Sequence, residues 1–243
     1  MQHEFWHQKW QKNEIGFHLN QPHPLLVKYM GCLNISPNSR IFIPLCGKSL
    51  DIHWLLTQGY HVVGIDLSPI AIQDLISTLG LSFTEMQSGN LSHFHHPQID
   101  LFVGDFFELT IEQLGQIDAI YDRAALVALP EQMRSQYVQH LIQIGGDASQ
   151  LVISFEYDQS MMAGPPFSIS TQQLQDYYSS EYAIQLLDSQ TELLKGKVNA
   201  QEKIKLSLDD VINIASKQSI DAFRNENMYL ASFWEYKFYK AEQ

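Results

Sequence analysis

The sequence is poor in cysteine, in basic residues and in long hydrophobic runs, and each scarcity excludes a class of protein. Its two cysteines, Cys32 and Cys46, are too few for the disulfide framework of a small secreted protein. The 15 basic and 27 acidic residues leave a formal charge of −12, which repels nucleic acids and anionic membrane surfaces. No stretch resembles a membrane span, and the first residues lack the apolar core of a signal peptide. We therefore expect a cytoplasmic protein without nucleic-acid or membrane partners.

The residues that are abundant describe a folded chain. Hydrophobic residues make up 45% of the sequence and aromatic residues 12%, which excludes an intrinsically disordered protein. The 243 residues are enough for one large domain or two small ones, with a real core. Strand and helix patterns alternate along the chain without an internal repeat, which predicts an α/β fold. We expect a doubly wound, mostly parallel sheet with helices on both faces.

The stretch from residue 41 to 68, IFIPLCGKSLDIHWLLTQGYHVVGIDLS, organises this prediction. Its apolar run Ile41–Ile43 suits a strand buried on both faces, and a break at Gly47 follows. Apolar residues at helical spacing come next, and Val62–Ile65 forms a second apolar run. A strand, a crossover helix and a second strand make a βαβ unit. Asp66 ends the unit close to the offset at which dinucleotide-type sites place a ribose-binding acid.

The turn at Gly47 fits neither common phosphate-binding motif. A P-loop needs a glycine five residues before Gly47, where Phe42 stands. A G-x-G-x-x-G turn also fails, because Gly47 is the only glycine there, and this argues against a nicotinamide-dependent oxidoreductase. A cofactor with an adenosine ribose and no phosphates fits better, and S-adenosylmethionine is the obvious candidate. From the residues alone, an ordinary turn in an α/β core remains open.

Two further strand ends carry candidate site residues. The strand Ile99–Val103 leads to Asp105-Phe106, a pair that can contact an adenine or simply begin a helix. The strand Ile117–Tyr121 ends in Asp122 and Arg123. Since open α/β sheets bind ligands at the carboxyl ends of their strands, Arg123 is placed to act there, unless it only pairs with Asp122.

An aromatic stripe marks the N-terminal helix, predicted from Glu4 to Glu14. Trp6 and Trp10 lie four residues apart and so share one face. They either anchor the helix to the core or form an aromatic lid over a ligand. Farther on, the segment Leu81–Gln98 has little periodicity, and we predict that it is a solvated loop. Its histidines, His93, His95 and His96, lack an acid or cysteine to complete a ligand set, so we expect no metal site.

With these motifs in place, the chain resembles the thiopurine S-methyltransferase family, particularly its bacterial members. The matching stretches are FWHQKWQKNEIGFH at 5–18, IFIPLCGKSLDIHWL at 41–55, VVGIDLS at 62–68, DLFVGDFFEL at 100–109, IDAIYDRAALVALP at 117–130 and FEYDQSMMAGPPF at 155–167. They follow the family order and cover about the first 190 residues.

The resemblance implies a class I, Rossmann-like methyltransferase fold that binds S-adenosylmethionine, and it implies roles for particular residues. The cofactor-binding set is Trp6, Trp10, Leu45, Gly47, Asp66, Asp105, Phe106 and Arg123, with Asp105 and Phe106 near the adenine. Arg123 is the candidate catalytic residue between cofactor and acceptor. The acceptor-binding set is Phe17, Pro165, Pro166 and Arg224.

The implied activity is methyl transfer from S-adenosylmethionine to an aromatic or heterocyclic thiol, giving S-adenosylhomocysteine. Methyl transfer to inorganic selenium or tellurium species, or S-adenosylmethionine binding without catalysis, are the alternatives. We expect a monomer with one domain over residues 1–243, a lid helix over 4–14 and an insertion over 189–220. A sixth strand is predicted over Tyr182–Leu187. The insertion is inferred because Arg224 and the aromatic strand Tyr229–Tyr239 lie farther from this sixth strand than the family ending does.

Overall fold

The structure, a computed structural model, describes residues 3–194 and 229–240. The strands are β1 (Arg40–Ile43), β2 (His61–Asp66), β3 (Thr84–Ser88), β4 (Leu91–His96), β5 (Ile99–Val103), β6 (Ala119–Arg123), β7 (Ser149–Glu156), β8 (Tyr182–Leu194) and β9 (Tyr229–Lys240). The α-helices are α1 (His3–Gln11), α2 (Pro24–Tyr29), α3 (Leu50–Thr57), α4 (Pro69–Leu79), α5 (Ile111–Leu114), α6 (Glu131–Gly145) and α7 (Thr171–Tyr178). Short 3-10 turns cover Met30–Leu33, Phe106–Glu108, Leu126–Ala128 and Gln159–Met161.

The strands that the structure describes form one sheet of nine, in the order β3-β4-β5-β2-β1-β6-β7-β9-β8. The five central strands, β5 to β7 in that order, are parallel, and an antiparallel pair extends each edge. From β1 the chain builds outward through β2 and β5, then returns to build the other half from β6. Ligands of doubly wound sheets bind where the order reverses in this way, at the carboxyl ends of the strands. The predicted α/β class is confirmed.

The central strands are buried on both faces, as their apolar runs predict. In β1, Phe42 points into a core cluster with Val63 of β2. Its neighbours Ile41 and Ile43 point into a second cluster on the other face, with Val62. Consecutive side chains of a strand alternate between faces, so one strand contributes to both cores. Helices α6 and α7 contribute to the first cluster and α3 and α4 to the second, so helices cover both faces of the sheet.

Local signals set the helix ends around the second strand. The Ser49 hydroxyl accepts a hydrogen bond from the Asp51 amide and caps α3. Ser68 caps α4, Pro69 opens its first turn, and Gly80 closes it with a left-handed backbone at φ 63°. The predicted βαβ unit is therefore confirmed. Within the described residues, no helix combines the length and apolarity needed to cross a membrane.

The prediction of a loop over Leu81–Gln98 is wrong. The segment forms the hairpin β3–β4, which extends the sheet edge beside β5. Its two-residue turn is Gly89-Asn90, with Gly89 at φ 58°, a turn typical of hairpins. The strand pattern was hidden because polar histidines occupy β4. His93 stacks on Phe102 instead of standing free in solvent, with ring centroids 4.4 Å apart.

At the other edge of the sheet, the strand β8 is longer than the sequence pattern predicts. The predicted strand Tyr182–Leu187 continues to Leu194, with a bulge between Leu186 and Asp188. It pairs with β9, which also pairs with β7. Residues 189–194 of the expected insertion therefore belong to β8. Residues 195–220 of that insertion, and Arg224, lie outside the described residues.

Candidate functional site

A cavity of about 750 Å³ opens at the carboxyl ends of β1, β2 and β6, where the strand order reverses. Its walls come from α1, the turn after β1, the end of β2, the end of β6 and the loop at 164–166. Two wall residues that are not glycine, Leu45 after β1 and Ala124 after β6, have left-handed backbones, with φ 46° and 63°. Such strain costs about 1–3 kcal/mol per residue and concentrates at functional sites.

Asp66 closes the floor of the cavity from the end of β2. One carboxylate oxygen accepts the Gly47 amide at 2.8 Å and the other accepts the Ser68 amide at 2.8 Å. These bonds fix the carboxylate in the turn, and each oxygen keeps a lone pair for a ligand hydroxyl. Burial raises the pKa of Asp66 to about 6, against the two amide bonds that lower it. At pH 7 the group is an anion, which suits a ribose diol.

The N-terminal helix covers the turn with its tryptophans. A β-carbon on Gly47 would lie 3.1 Å from the Trp10 ring, so only a glycine leaves room for this contact. Trp6 and Trp10 both meet Phe17 edge-on, at centroid distances of 6.0 and 5.7 Å. The three rings form an aromatic wall of the cavity. Such a wall can hold a flat base or a cationic sulfonium.

Arg123 reaches the cavity because strand neighbours point to opposite faces. Asp122, on the other face, is fully buried and accepts hydrogen bonds from the Tyr137 hydroxyl and the Leu126 amide. The alternative of an Asp122–Arg123 ion pair is therefore not observed. No described residue forms a hydrogen bond or ion pair with the Arg123 guanidinium, which lines the cavity.

Two histidines in the cavity wall have pKa values that are lowered by burial and by the positive charges of the corner around Arg123. Burial lowers the pKa of His18, and Lys48 and Arg123 lower it further. Burial and then Arg123 lower the pKa of His23 to about 4. Both histidines are therefore neutral at pH 7. Lys48 is ion-paired to Asp74 at 2.9 Å, which leaves Arg123 as the less compensated cation of the corner.

A buried polar network behind this corner is a feature that the sequence did not reveal. Asp51 of α3 accepts the His23 amide at 2.6 Å on one oxygen and the Tyr121 hydroxyl at 3.1 Å on the other. All three residues line the cavity. The contacts join positions 28 and 70 residues apart, so local pattern could not have found them.

The loop at 164–167 contributes its first three residues to the cavity wall. The Phe167 amide donates to the Val127 carbonyl at 2.7 Å, and the Tyr157 hydroxyl donates to the Pro166 carbonyl. The Arg134 guanidinium stacks 5.4 Å from the Phe167 ring centroid. These contacts fix Pro165 and Pro166 at the cavity surface.

The structure brings most of the predicted site residues together. Those lining the cavity are Trp6, Trp10, Phe17, Leu45, Gly47, Asp66, Arg123, Pro165 and Pro166. Asp105 and Phe106 do not line it. The Asp105 carboxylate forms a hydrogen bond with the His3 ring at 2.8 Å and caps the 3-10 turn Phe106–Glu108. Phe106 is buried and stacks on Phe42. Their role near an adenine stays a prediction.

The cavity fits the cofactor that the sequence indicates. It offers a buried carboxylate for a ribose, a glycine turn for close approach and an aromatic wall for a base or sulfonium. It offers no glycine-rich cradle for a pyrophosphate, since Gly47 is the single glycine of the turn.

Comparison with known proteins gives one family. The family profile described as thiopurine S-methyltransferase (TPMT) matches residues 1–217. The thiopurine S-methyltransferase of Acinetobacter baylyi is 56% identical over 194 residues, covering 78% of this chain and 89% of the relative. That of Teredinibacter turnerae is 45% identical over 210 residues, covering 85% of this chain and 98% of the relative.

Solved structures share the fold at low identity. A methyltransferase dependent on S-adenosylmethionine, from Anabaena variabilis, superposes with a TM-score of 0.57 at 14% identity, covering 98% of this chain and 94% of its own. The 1,6-didemethyltoxoflavin-N1-methyltransferase of Burkholderia thailandensis, solved with S-adenosylhomocysteine, gives a TM-score of 0.55 at 13% identity, covering 96% and 86%.

Proposed function

Because the chain belongs to the thiopurine S-methyltransferase family, we propose that it moves the methyl group of S-adenosylmethionine to an aromatic or heterocyclic thiol. The second product is S-adenosylhomocysteine. The proposal assigns both reactants to the cavity at the carboxyl ends of β1, β2 and β6, which is where a doubly wound sheet binds its ligands.

The cofactor side of the proposal uses the turn after β1 and the end of β2. Asp66 would accept hydrogen bonds from the ribose hydroxyls, and Gly47 would allow the backbone to approach the ligand. Trp6 and Trp10 would pack on the cofactor, with Leu45 shaping the turn. The support is that the cavity is lined by all five residues and that Asp66 is held by two amide bonds.

Arg123 carries the acceptor side of the proposal. It is a cation in the cavity wall without a hydrogen bond or ion pair to the described residues, and Phe17, Pro165 and Pro166 provide apolar surface nearby. An aromatic thiolate needs this combination of a guanidinium for its negative charge and apolar walls for its ring. Arg224 would add to this side, as the sequence predicts.

The chemistry needs orientation more than proton transfer. S-adenosylmethionine supplies a methyl group activated by its sulfonium. The thiolate sulfur forms a bond to the methyl carbon while the carbon–sulfonium bond breaks, and the electron pair stays on the departing sulfur. No proton moves, so no general base is required. The neutral state of His18 and His23 at pH 7 is compatible with this, because neither adds a second positive charge beside the sulfonium.

The proposed role of the chain is then alignment and exclusion of water. Fixing two reactants in line replaces a bimolecular encounter and can supply several kcal/mol of the barrier. The helix α1 would act as the lid that closes over the bound pair. Every residue that has a role in this proposal belongs to the same chain, so the proposal is compatible with the monomer that is expected from the sequence.

A transfer assay tests the proposal. The full-length protein is incubated with S-adenosylmethionine labelled in its methyl group and with an aromatic thiol, an aliphatic thiol of higher thiol pKa, or selenite. We expect labelled S-methyl product with the aromatic thiol, and a much lower rate with the aliphatic thiol at pH 7, because little of it is thiolate.

The remaining arms decide between acceptors. Faster transfer to selenite than to either thiol would replace the acceptor proposed here. Tight S-adenosylmethionine binding with no methyl transfer to any of these acceptors would contradict the proposal.

A further inference from the structure

Three side chains with metal-ligating atoms converge at the sheet edge, away from the cavity. His93 and His95 lie two residues apart on β4 and therefore share a face. Asp100, near the start of β5, is the direct cross-strand partner of His95. Directly opposed residues of an antiparallel pair point to the same face. The pairing of β4 with β5 therefore brings the three groups together.

The ligand atoms are already close to the spacing that a metal ion requires. His93 Nε2 and His95 Nδ1 each lie 2.8 Å from the same oxygen, Asp100 Oδ1. All three ligand atoms lie within 4.8 Å of one another. A tetrahedral ion with bonds of about 2.0–2.2 Å separates its ligands by roughly 3.3–3.6 Å, so small side-chain rotations would suffice.

The surroundings orient each ligand. Arg40 donates to the other oxygen of Asp100 at 2.7 Å, which leaves Oδ1 facing the histidines. The His93 ring is held by stacking on Phe102. Ligating carboxylates and imidazoles of metal sites are normally positioned by such outer partners. The His95 side chain is 47% exposed, so water has access to the remaining coordination positions.

We propose that His93, His95 and Asp100 bind one divalent transition-metal ion, such as Zn²⁺, Co²⁺ or Ni²⁺, with water completing its coordination. Two imidazoles and one carboxylate suit these ions, whereas Mg²⁺ and Ca²⁺ prefer oxygen ligands alone. The ion would tie β4 to its neighbour β5 and so hold the hairpin β3–β4, which forms the edge, on the sheet. None of the three residues lines the cavity, so its expected effect is on stability.

The test uses tag-free full-length protein treated with a chelator and then titrated with Zn²⁺ by calorimetry and with Co²⁺ by visible absorption. Two ligand variants, His93→Gln and His95→Gln, keep the size of the side chain. The matched control is His96→Gln, which removes the next histidine of the same strand. His96 packs near Phe83 and accepts the Gln98 amide, apart from the cluster.

We expect one ion per chain in the wild type and in His96→Gln, with an increase in melting temperature when Zn²⁺ is added. In His93→Gln and His95→Gln the affinity should fall at least tenfold, and the temperature shift should disappear while circular dichroism stays native. Absence of 1:1 binding, or equal affinity in the ligand variants, would overturn the proposal. So would an equal loss in His96→Gln. The cluster would then be only a hydrogen-bonded support for Asp100. Cofactor binding and methyl transfer are measured separately, so either proposal can fail alone.

Discussion

The indole ring of Trp10 lies against the α-carbon of Gly47, so close that a β-carbon there would be 3.1 Å from the ring. This contact joins the N-terminal helix to the turn after β1. It brings the aromatic wall over Asp66, whose carboxylate accepts the Gly47 amide. A single glycine therefore contacts both the N-terminal helix and the buried acid while forming the backbone turn.

Gly47→Ala is expected to weaken S-adenosylmethionine binding by displacing Trp10. The matched control is Gly59→Ala, because both glycines have left-handed backbones, at φ 53° and 83°, but a β-carbon on Gly59 meets no atom within 4 Å. Both variants should lose about 1 kcal/mol of stability through backbone strain. Only Gly47→Ala should also lose cofactor affinity, measured by calorimetry. Equal affinities in the two variants would show that the Trp10 contact is unimportant for binding.

Asp66→Ala should weaken S-adenosylmethionine binding by about 1–3 kcal/mol, the range for a lost charged hydrogen-bond partner. The folded state will also lose stability, since the amides of Gly47 and Ser68 lose their acceptor. Affinity is therefore measured at a temperature where circular dichroism shows the variant fully folded. Unchanged affinity under those conditions would remove Asp66 from the site.

The pKa of Asp66, raised to about 6 by burial, predicts a pH dependence of cofactor binding. Below pH 6 the carboxyl is protonated and loses acceptor capacity, so affinity should fall as pH decreases from 7 to 5. Asp66→Asn, which cannot titrate, should lose this dependence. In the protein without cofactor, the same pKa shift affects the folding stability, and it does so in the opposite direction with pH. The raised pKa contributes stability that is present below about pH 4 and is lost as pH rises through 6.

The lid role of α1 predicts slower hydrogen exchange when cofactor binds. In the described residues, Trp10 is the one buried side chain of this nine-residue helix, so little apolar burial holds it closed. Backbone amides from residue 5 to 17 should exchange more slowly with saturating S-adenosylmethionine. Amides of β1, deep in the sheet, serve as the reference that should not change. Equal protection of α1 without ligand would favour the alternative of a fixed anchor.

The part of the fold that could be predicted is the part that depends on short-range sequence patterns. The βαβ unit around Gly47 follows from apolar runs, serine caps and a closing glycine. The hairpin β3–β4 also had a signal, the Gly-Asn turn at 89–90, but the histidines of β4 obscured the alternation. Asp100, the acid that meets two of those histidines, becomes a neighbour only through strand pairing.

The residues of the site likewise fall into those that the sequence could predict and those that it could not. Residues at the ends of strands, such as Asp66 and Arg123, could be located because parallel strands end at one edge. The network of Asp51 with His23 and Tyr121 could not, because it depends on helix packing across the cavity. The prediction that Asp105 and Phe106 contact the adenine followed the family motif, and the described cavity does not include them.

The most direct test of the account is the acceptor kinetics of Arg123 variants with an ionised aromatic thiol. Arg123→Lys keeps the charge but loses the planar fork, and Arg123→Ala loses both. Lys12→Ala, which removes the same charge from an exposed position, controls for net charge. We predict that kcat/KM falls in the order arginine, lysine, alanine. The alanine variant should lose roughly 10- to 150-fold, while cofactor affinity stays nearly constant. Loss of S-adenosylmethionine binding in Arg123→Ala, with acceptor KM unchanged, would contradict the account and move the acceptor to another cation, with Arg224 the next to test.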